Sequence, residues 1–176
     1  YTPPTPTFED TKQFIDYDLA ELRNYIDWKP FFISWELHGN FPQILTDEVV
    51  GTEATKLYND ANKLIDQIIA EKWLTAQGVI GFWKANTIDP DTIAVTTDTG
   101  KIHLESLRQQ IKKAAGQPNL SLSDFIAPVE TGLQDYLGAF SVTMHGIEPH
   151  IKKFEAALDD YNKIMLQALA DRLAEA

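Results

Sequence analysis

The sequence predicts an α+β fold: a twisted antiparallel sheet flanked by helices, with a long helix at the C-terminus. Apolar residues recur at three- and four-residue intervals near both ends of the chain, which is the spacing of an amphipathic helix. Short segments rich in β-branched residues, bounded by turn residues, occupy the middle. These segments do not alternate with helices in the rhythm of a parallel sheet, so we expect antiparallel pairing.

The 176-residue chain is acidic, with 15 Lys and Arg against 26 Asp and Glu and a net charge of −11. Because so few basic side chains cannot neutralise a phosphate lattice, neither nucleic acid nor an anionic membrane is expected as a partner. The apolar runs are far shorter than a membrane span. The chain contains no cysteine, which excludes disulfides and thiolate sites within it and is compatible with a cytoplasmic location.

The N-terminal residues are predicted to form a linker. Residues 1–7 are rich in Pro and Thr and lack the basic or apolar pattern of a targeting segment. Apolar spacing then predicts a short helix from about Phe8 to Tyr25. We therefore divide the chain into residues 1–20, the linker with the start of this helix, and one domain at residues 21–176.

The middle of the chain contains a second helix and a predicted hairpin. Apolar spacing places the helix at roughly residues 47–72. Residues 78–86 and 92–97 are predicted to be strands, and the turn residues between them join the pair as a hairpin. Residues 102–115 are predicted to begin as a strand and to continue as a helix containing the Arg108-Gln109-Gln110 sequence.

Two short extended segments, at residues 122–128 and 136–143, precede one long helix from about Pro149 to Ala176. The sequence at the end of this helix contains no Gly, Asn or Pro that would end it, so we expect the polypeptide to have been cut here. Residues recur along one face of this helix at helical spacing: Phe154, Leu158, Tyr161, Met165, Ala168, Leu169 and Arg172.

No catalytic residues or nucleotide motifs are predicted. The chain has no Gly-x-Gly-x-x-Gly sequence, which disfavours a dinucleotide fold. Thr99-Gly100-Lys101 is interpreted as a turn, because Val95 stands where a phosphate-binding loop requires Gly. No Ser has the context of an activated nucleophile, so a hydrolase is not expected.

The histidines do not have the spacing of a metal site. His145 and His150 are five residues apart, which does not place them on one helical face, and no His-Glu-x-x-His sequence occurs. We therefore interpret His38, His103, His145 and His150 as structural and expect no metal.

Two acidic positions and one aromatic cluster allow both a structural and a functional interpretation. Asp47-Glu48 precedes a helix, where carboxylates favour the helix dipole, but a carboxylate there could also meet a cationic ligand. Glu175 has the same two interpretations. The aromatic cluster is more often a core than a ligand platform: Trp28, Phe31, Phe32 and Trp35.

Several stretches together resemble one known family, the C-terminal activation domain of cobalamin-dependent methionine synthase. The resemblance is collinear from about residue 20 to the last residue. The matching stretches are Leu22 to Trp28 with Pro30-Phe31-Phe32, Asp47 to Gly51, Arg108-Gln109-Gln110, Asp124-Phe125 with Ala127-Pro128, Asp135-Tyr136 with Gly138-Ala139-Phe140 and Val142-Thr143, and Asp159 to Met165 with Ala168 to Ala176.

The resemblance implies a role in methionine biosynthesis, within a methyltransferase. In that family this domain binds S-adenosylmethionine and presents its methyl group to cobalamin held by a neighbouring domain of the same polypeptide. Reductive methylation of inactive cob(II)alamin takes its electron from flavodoxin or a flavoprotein reductase. The resemblance also implies a twisted antiparallel sheet flanked by helices.

The resemblance assigns two residues to the ligand: Asp47 and Glu175 align with acidic residues near S-adenosylmethionine. A carboxylate suits this ligand, which has a sulfonium and an ammonium group. The family's Arg-x-x-x-Gly-Tyr-Pro-Ala-Cys-Pro segment does not occur in these 176 residues. We therefore expect an incomplete domain with part of the ligand site, weak or no binding of S-adenosylmethionine, and no activity as an isolated chain.

A second function from a different class stays open. The chain could be a stand-alone interaction or ligand-binding module that has the same fold without binding S-adenosylmethionine. The coding sequence downstream of Ala176 distinguishes the two, because continuation into the Gly-Tyr-Pro-Ala-Cys segment favours the activation domain.

Overall fold

The computed structural model describes residues 2–176 and confirms the α+β fold class. Five strands form one sheet in the order β1-β2-β3-β4, with β5 also paired to β2. Within the described residues, no helix combines the length and apolarity needed to cross a bilayer. The strands are β1 (Asp10–Tyr17), β2 (Thr75–Asp89), β3 (Thr92–Thr97), β4 (Gly100–Glu105) and β5 (Asp135–His145). The helices are α1 (Leu19–Leu22), α2 (Trp28–Ser34), α3 (Gly51–Ala70), α4 (Ile147–Ala156) and α5 (Asp160–Glu175).

The chain divides into two compact units, which we call the sheet unit and the helical unit. The sheet unit consists of the N-terminal residues through Lys12 together with Val79–Ser141. The helical unit consists of Gln13–Gly78 together with Val142–Ala176. Each unit has its own cluster of buried apolar side chains.

The core of the helical unit forms around α3, and the predicted helix at residues 47–72 is confirmed. Buried positions on α3 follow the three- and four-residue spacing of a single face, from Ala54 through Leu57 and Ala61 to Ile68. Aromatic side chains of α2 and apolar side chains of α5 belong to the same buried cluster. Because each buried large apolar side chain contributes about 1.5–3 kcal/mol, this cluster is the main source of the unit's stability.

The predicted long C-terminal helix is confirmed as α5, but a tight corner separates it from α4, so it begins at Asp160 and not near Pro149. Leu158 has a φ angle of +57°, in the left-handed region. The N–H of Leu158 donates to the carbonyl of Glu155 at 3.0 Å and the N–H of Asp159 donates to that of Phe154 at 2.9 Å, the Schellman pattern that ends a helix. The carboxylate of Asp159 then accepts the N–H of Asn162 at 3.0 Å and so begins α5.

The strands of the sheet unit confirm the predicted hairpin. Strands β2 and β3 pair antiparallel with Ala85 opposite Val95, and β3 and β4 pair with Ile93 opposite Leu104. Ala85, Ile93 and Val95 are at most 4% exposed and form a small core. The β-branched residues of β3 thus occupy a half-buried pleated surface, the environment that suits them best.

The helix predicted from Phe8 to Tyr25 is wrong over most of its length. Asp10–Tyr17 is the strand β1, which pairs with β2. The helical conformation begins only at Leu19, where the carboxylate of Asp18 accepts the N–H of Ala20 at 2.9 Å. Pairing with a strand distant in sequence determines this conformation, and local apolar spacing does not reveal such pairing.

The helix predicted around Arg108 is also wrong, because residues 106–121 form an irregular loop. The Arg108 guanidinium donates to the carboxylates of Asp91 and Asp124 and to two backbone carbonyls. All five of its N–H groups have acceptors, so this one side chain connects the loop to residues 90–91 and to Asp124 in a non-helical conformation.

The last two extended segments have different outcomes. The segment predicted at residues 122–128 begins as a 3-10 turn, Leu122–Phe125, rather than as a strand. The Ser121 hydroxyl and the Asp124 carboxylate form a reciprocal capping box at the start of this turn, which favours a helical turn over an extended chain. The segment predicted at residues 136–143 is confirmed as part of β5.

We expect Leu158→Gly to raise the free energy of unfolding by about 0.5–1 kcal/mol, because glycine adopts a left-handed conformation without steric cost. Leu158 is 90% exposed, so the substitution removes little packing. Urea denaturation followed by circular dichroism measures the change. Leu158→Ala keeps the Cβ atom and serves as the control that gains no stability. A less stable Leu158→Gly variant would contradict this explanation of the corner.

Candidate functional site

Asp47 lies at the turn that begins α3. Its Oδ1 atom accepts the N–H groups of Val49 at 2.9 Å and Val50 at 3.0 Å, and its backbone carbonyl accepts the N–H of Gly51 at 3.0 Å. The hydrogen bonds from Val50 and Val49 lower the pKa of the Asp47 carboxyl group. Asp47 therefore caps the turn at residues 48–50 that leads into α3, and its exposed side chain is also a fixed negative charge at neutral pH.

Glu175 lies in the last turn of α5. Its Oε2 atom is 2.8 Å from Nη1 of Arg172, and its side chain is 61% exposed. Nη2 of Arg172 also lies 2.6 Å from Oδ2 of Asp171, the neighbouring carboxylate. Burial of the guanidinium opposes its charge, but its hydrogen bonds to the carboxylates of Asp171 and Glu175 outweigh burial and raise the pKa of Arg172.

Asp47 and Glu175 belong to the same helical unit but share no hydrogen-bonding partner in residues 2–176. Asp47 uses backbone N–H groups, whereas Glu175 uses a side-chain guanidinium. Their joint role as ligand contacts therefore stays a prediction. Sequence reasoning missed the role of Arg172 as the partner of Glu175, although its three-residue spacing from Glu175 was the available signal.

The aromatic cluster of α2 is mainly core. Trp28, Phe31 and Phe32 are at most 7% exposed and pack in the buried cluster of the helical unit. Trp35 differs, because it is half-buried and its Nε1–H has no acceptor. Its ring meets that of Tyr161 edge to face at 5.2 Å. The structural interpretation is thus supported for three of the four residues.

Tyr161 connects α5 to α3. Its hydroxyl donates to Oδ2 of Asp60 at 3.1 Å, and Nζ of Lys56 lies 5.3 Å from the centre of its ring. Burial, followed by the hydrogen bond to Asp60, raises the pKa of Tyr161 to about 12. Tyr161 therefore stays neutral throughout the physiological range and acts as a hydrogen-bond donor between the helices.

Within residues 2–176, no group of three or more His, Cys, Asp or Glu side chains is arranged so that it could hold a metal ion. His150 stacks on the ring of Trp73 with 4.0 Å between ring centres. The indole N–H of Trp73 donates to Oε2 of Glu71 at 2.8 Å. His150 therefore has a structural role in the packing of α4.

The sheet unit contains a cleft of about 330 Å³, one wall of which is the N-terminal segment. Residues 4–7 of the predicted linker line this cleft, and the residues that follow them also contact the unit: Phe8 meets Phe82 edge to face at 5.2 Å, and Glu9 forms an ion pair with Lys84 at 3.4 Å. Half of the lining residues are aromatic or proline: the full lining is Pro4, Thr5, Pro6, Thr7, Phe82, Phe125, Ile126, Asp135, Tyr136 and Gly138.

Arg108 fixes the loop next to this cleft. Its guanidinium donates to Oδ1 and Oδ2 of Asp124 at 2.9 and 2.7 Å, a two-point pairing. These bonds, together with the N–H of Ser121, lower the pKa of Asp124 to about 2. The Arg108-Gln109-Gln110 sequence thus has a structural role in the sheet unit.

One family model matches nearly the whole sequence. Residues 18–176 match the family described as the vitamin B12 dependent methionine synthase, activation domain. Because the match covers most of the sequence, the chain belongs to this family.

A solved structure is similar over nearly the whole chain. It is described as the crystal structure of the MetH reactivation domain bound to AdoHcy, with 46% sequence identity and a TM-score of 0.87. The match covers 99% of this chain and 55% of that chain. This chain thus spans little more than half the length of the similar structure.

We expect the contribution of Asp124 to stability to depend on acid pH. Because its pKa is lower in the folded protein than the usual 3.8, its stabilisation is complete above pH ~5 and is lost as the pH falls towards about 2. Asp124→Asn should therefore have a lower urea midpoint than the parent chain at pH 7, and the difference should shrink as the pH falls below 4.

Urea denaturation across this pH range measures the difference. Asp98→Asn, at the exposed turn between β3 and β4, is the matched control for the loss of one carboxylate from the sheet unit. A stability difference between Asp124→Asn and the parent that is constant with pH would contradict the assigned ion pair.

Proposed function

We propose that this chain is part of a reactivation module that binds S-adenosylmethionine for the reductive methylation of cob(II)alamin. The observation that supports the proposal is its similarity, at 46% identity and over 99% of its length, to a reactivation domain bound to AdoHcy. S-Adenosylhomocysteine is what remains of S-adenosylmethionine after its methyl group has been transferred. A site for one ligand therefore suits the other.

Asp47 and Glu175 are the proposed ligand contacts. S-Adenosylmethionine has two cationic groups, a sulfonium and an ammonium, which favour ionised carboxylates nearby. The lowered pKa of Asp47 keeps this carboxylate charged well below neutral pH. Glu175 shares Arg172 with Asp171, so the three charges sum to one negative charge that a cationic ligand can balance.

For methyl transfer, the main task of the protein is to position the methyl donor. The sulfonium already activates the methyl group, and transfer depends on alignment with the acceptor and on exclusion of water. In this proposal the cobalamin is held by a neighbouring domain of the same polypeptide, and the electron comes from flavodoxin or a flavoprotein reductase. The assembly would act in the cytoplasm in methionine biosynthesis.

These residues hold only part of the proposed ligand site. The 176 residues contain no cysteine and no Gly-Tyr-Pro-Ala-Cys-Pro sequence, the segment from which an arginine and backbone contacts are expected. The proposed contacts Asp47 and Glu175 meet the cationic groups of the ligand. Without an arginine for the ligand's carboxylate, the site lacks one charge-assisted hydrogen-bonded pair. The isolated chain is therefore proposed to bind S-adenosylmethionine weakly and not to catalyse methyl transfer alone.

Titration of the 15N-labelled chain with S-adenosylmethionine, followed by NMR, tests the proposal because it detects weak binding. We expect a dissociation constant weaker than micromolar, with amide shifts near Val49 and at the end of α5. Asp47→Asn and Glu175→Gln should each weaken binding by about tenfold, the loss expected for one charge-assisted contact. Asp18→Asn, which alters the cap of α1 in the same unit, is the matched control.

Three outcomes would count against the proposal. Micromolar or tighter affinity would contradict the incomplete site, and shifts confined to other surfaces would contradict the assignment of Asp47 and Glu175. The absence of any shift up to several millimolar ligand would favour a module of this fold that does not bind S-adenosylmethionine.

A further inference from the structure

Arg172 is a buried charge at the end of α5. The residue is 8% exposed, although it is an arginine, and its helix neighbours Leu169 and Leu173 are at most 1% exposed. Burying a guanidinium has a large desolvation cost unless carboxylates compensate it. An arginine at this position therefore has an energetic cost that an apolar side chain would not have.

The partners of Arg172 are two exposed carboxylates. Nη1 reaches Oε2 of Glu175 at 2.8 Å, and Nη2 reaches Oδ2 of Asp171 at 2.6 Å. Their side chains are 61% and 66% exposed, so the arginine is buried while both acidic groups meet solvent. Each carboxylate uses one oxygen for the arginine, and the other oxygen accepts no hydrogen bond within residues 2–176.

The burial of the guanidinium distinguishes this group from an ordinary surface ion pair. Lys56 and Lys63 also pair with a carboxylate, that of Asp60, but their side chains are 62% and 78% exposed and the distances are 3.5 and 3.6 Å. Pairs of that kind hold neither partner in one geometry. The Arg172 side chain is only 9% exposed, so its fork-shaped donor set is fixed by the core.

We propose that Arg172 is a positioning residue for the S-adenosylmethionine site: it fixes the carboxylate of Glu175 through Oε2 and leaves Oε1 for a cationic group of the ligand. This inference rests on the proposed function, because that function supplies the ligand that Glu175 would contact. Pre-ordering Glu175 reduces the side-chain entropy that binding would otherwise cost. Arg172 itself need not touch the ligand.

The first measurement needs no ligand. Side-chain 13C relaxation of Glu175 in the 176-residue chain reports its order, which we expect to fall in Arg172→Gln. Arg172→Lys keeps the positive charge but has one nitrogen in place of the two that pair with Asp171 and Glu175. We therefore expect Glu175 to become nearly as mobile as in Arg172→Gln. Arg23→Gln is the matched control, because Arg23 pairs with Asp66 of α3 in the same unit and should leave Glu175 ordered.

The second measurement is a double-mutant cycle on the dissociation constant for S-adenosylmethionine, obtained by NMR titration. Arg172→Gln should weaken binding by about three- to tenfold, the range for ordering one side chain. In a Glu175→Gln background the same substitution should have almost no further effect, because the residue that it positions is gone. Arg23→Gln should not change the dissociation constant.

Two results would overturn the inference. One is an ordered Glu175 in both Arg172 variants, and the other is an equal loss of affinity in the presence and absence of the Glu175 carboxylate, which is the signature of general destabilisation. If the parent chain shows no binding, the proposed ligand function fails, and the relaxation result alone decides whether Arg172 holds Glu175. Urea denaturation of each variant verifies that it is folded.

Discussion

The complete burial of one face of α5 is the constraint on which the helical unit depends. Met165, Leu166, Leu169 and Leu173 are at most 1% exposed, so this helix has no freedom to rotate about its axis. A rotation would expose several of these side chains at about 1.5–3 kcal/mol each. The backbone of its last turn is therefore held in place by apolar packing, which puts Arg172 where its guanidinium pairs with the exposed carboxylates of Asp171 and Glu175.

The sheet unit is organised by a different principle. Its apolar core is small, with three buried side chains in the cluster, and polar contacts supply much of its definition. Arg108 connects a turn residue, a carboxylate in a 3-10 turn and two carbonyls, so one side chain orders a loop that has no backbone ladder. A domain of this kind combines a packed helical region with a region held by hydrogen bonds.

Sequence reasoning was most successful where the conformation is determined by neighbouring residues. The spacing on α3 and the β-branched residues of β3 each identified their element, because burial on one face is recorded in the local pattern. It failed for β1 and for the loop around Arg108, which are both determined by partners distant in sequence. It also failed at Leu158, since leucine is not a residue expected in a left-handed conformation.

The candidate site was accessible from sequence mainly through resemblance to a family. Composition favoured a structural role for Asp47 at a helix N-terminus over a ligand contact, and in the structure Asp47 caps the turn that precedes α3. For Glu175, a lone carboxylate on an exposed helical turn gives no pattern of its own. Arg172 had the spacing of the apolar face, which was a correct indication that this arginine is buried.

The corner at Asp159 has a consequence for how this domain can evolve. The same residue completes the end of α4 and caps the start of α5, so no spare residue separates the two helices. A single inserted residue after this corner would turn everything beyond it by about 100° relative to the preceding helix. Related chains should therefore tolerate changes of residue type in this connection far better than changes of its length.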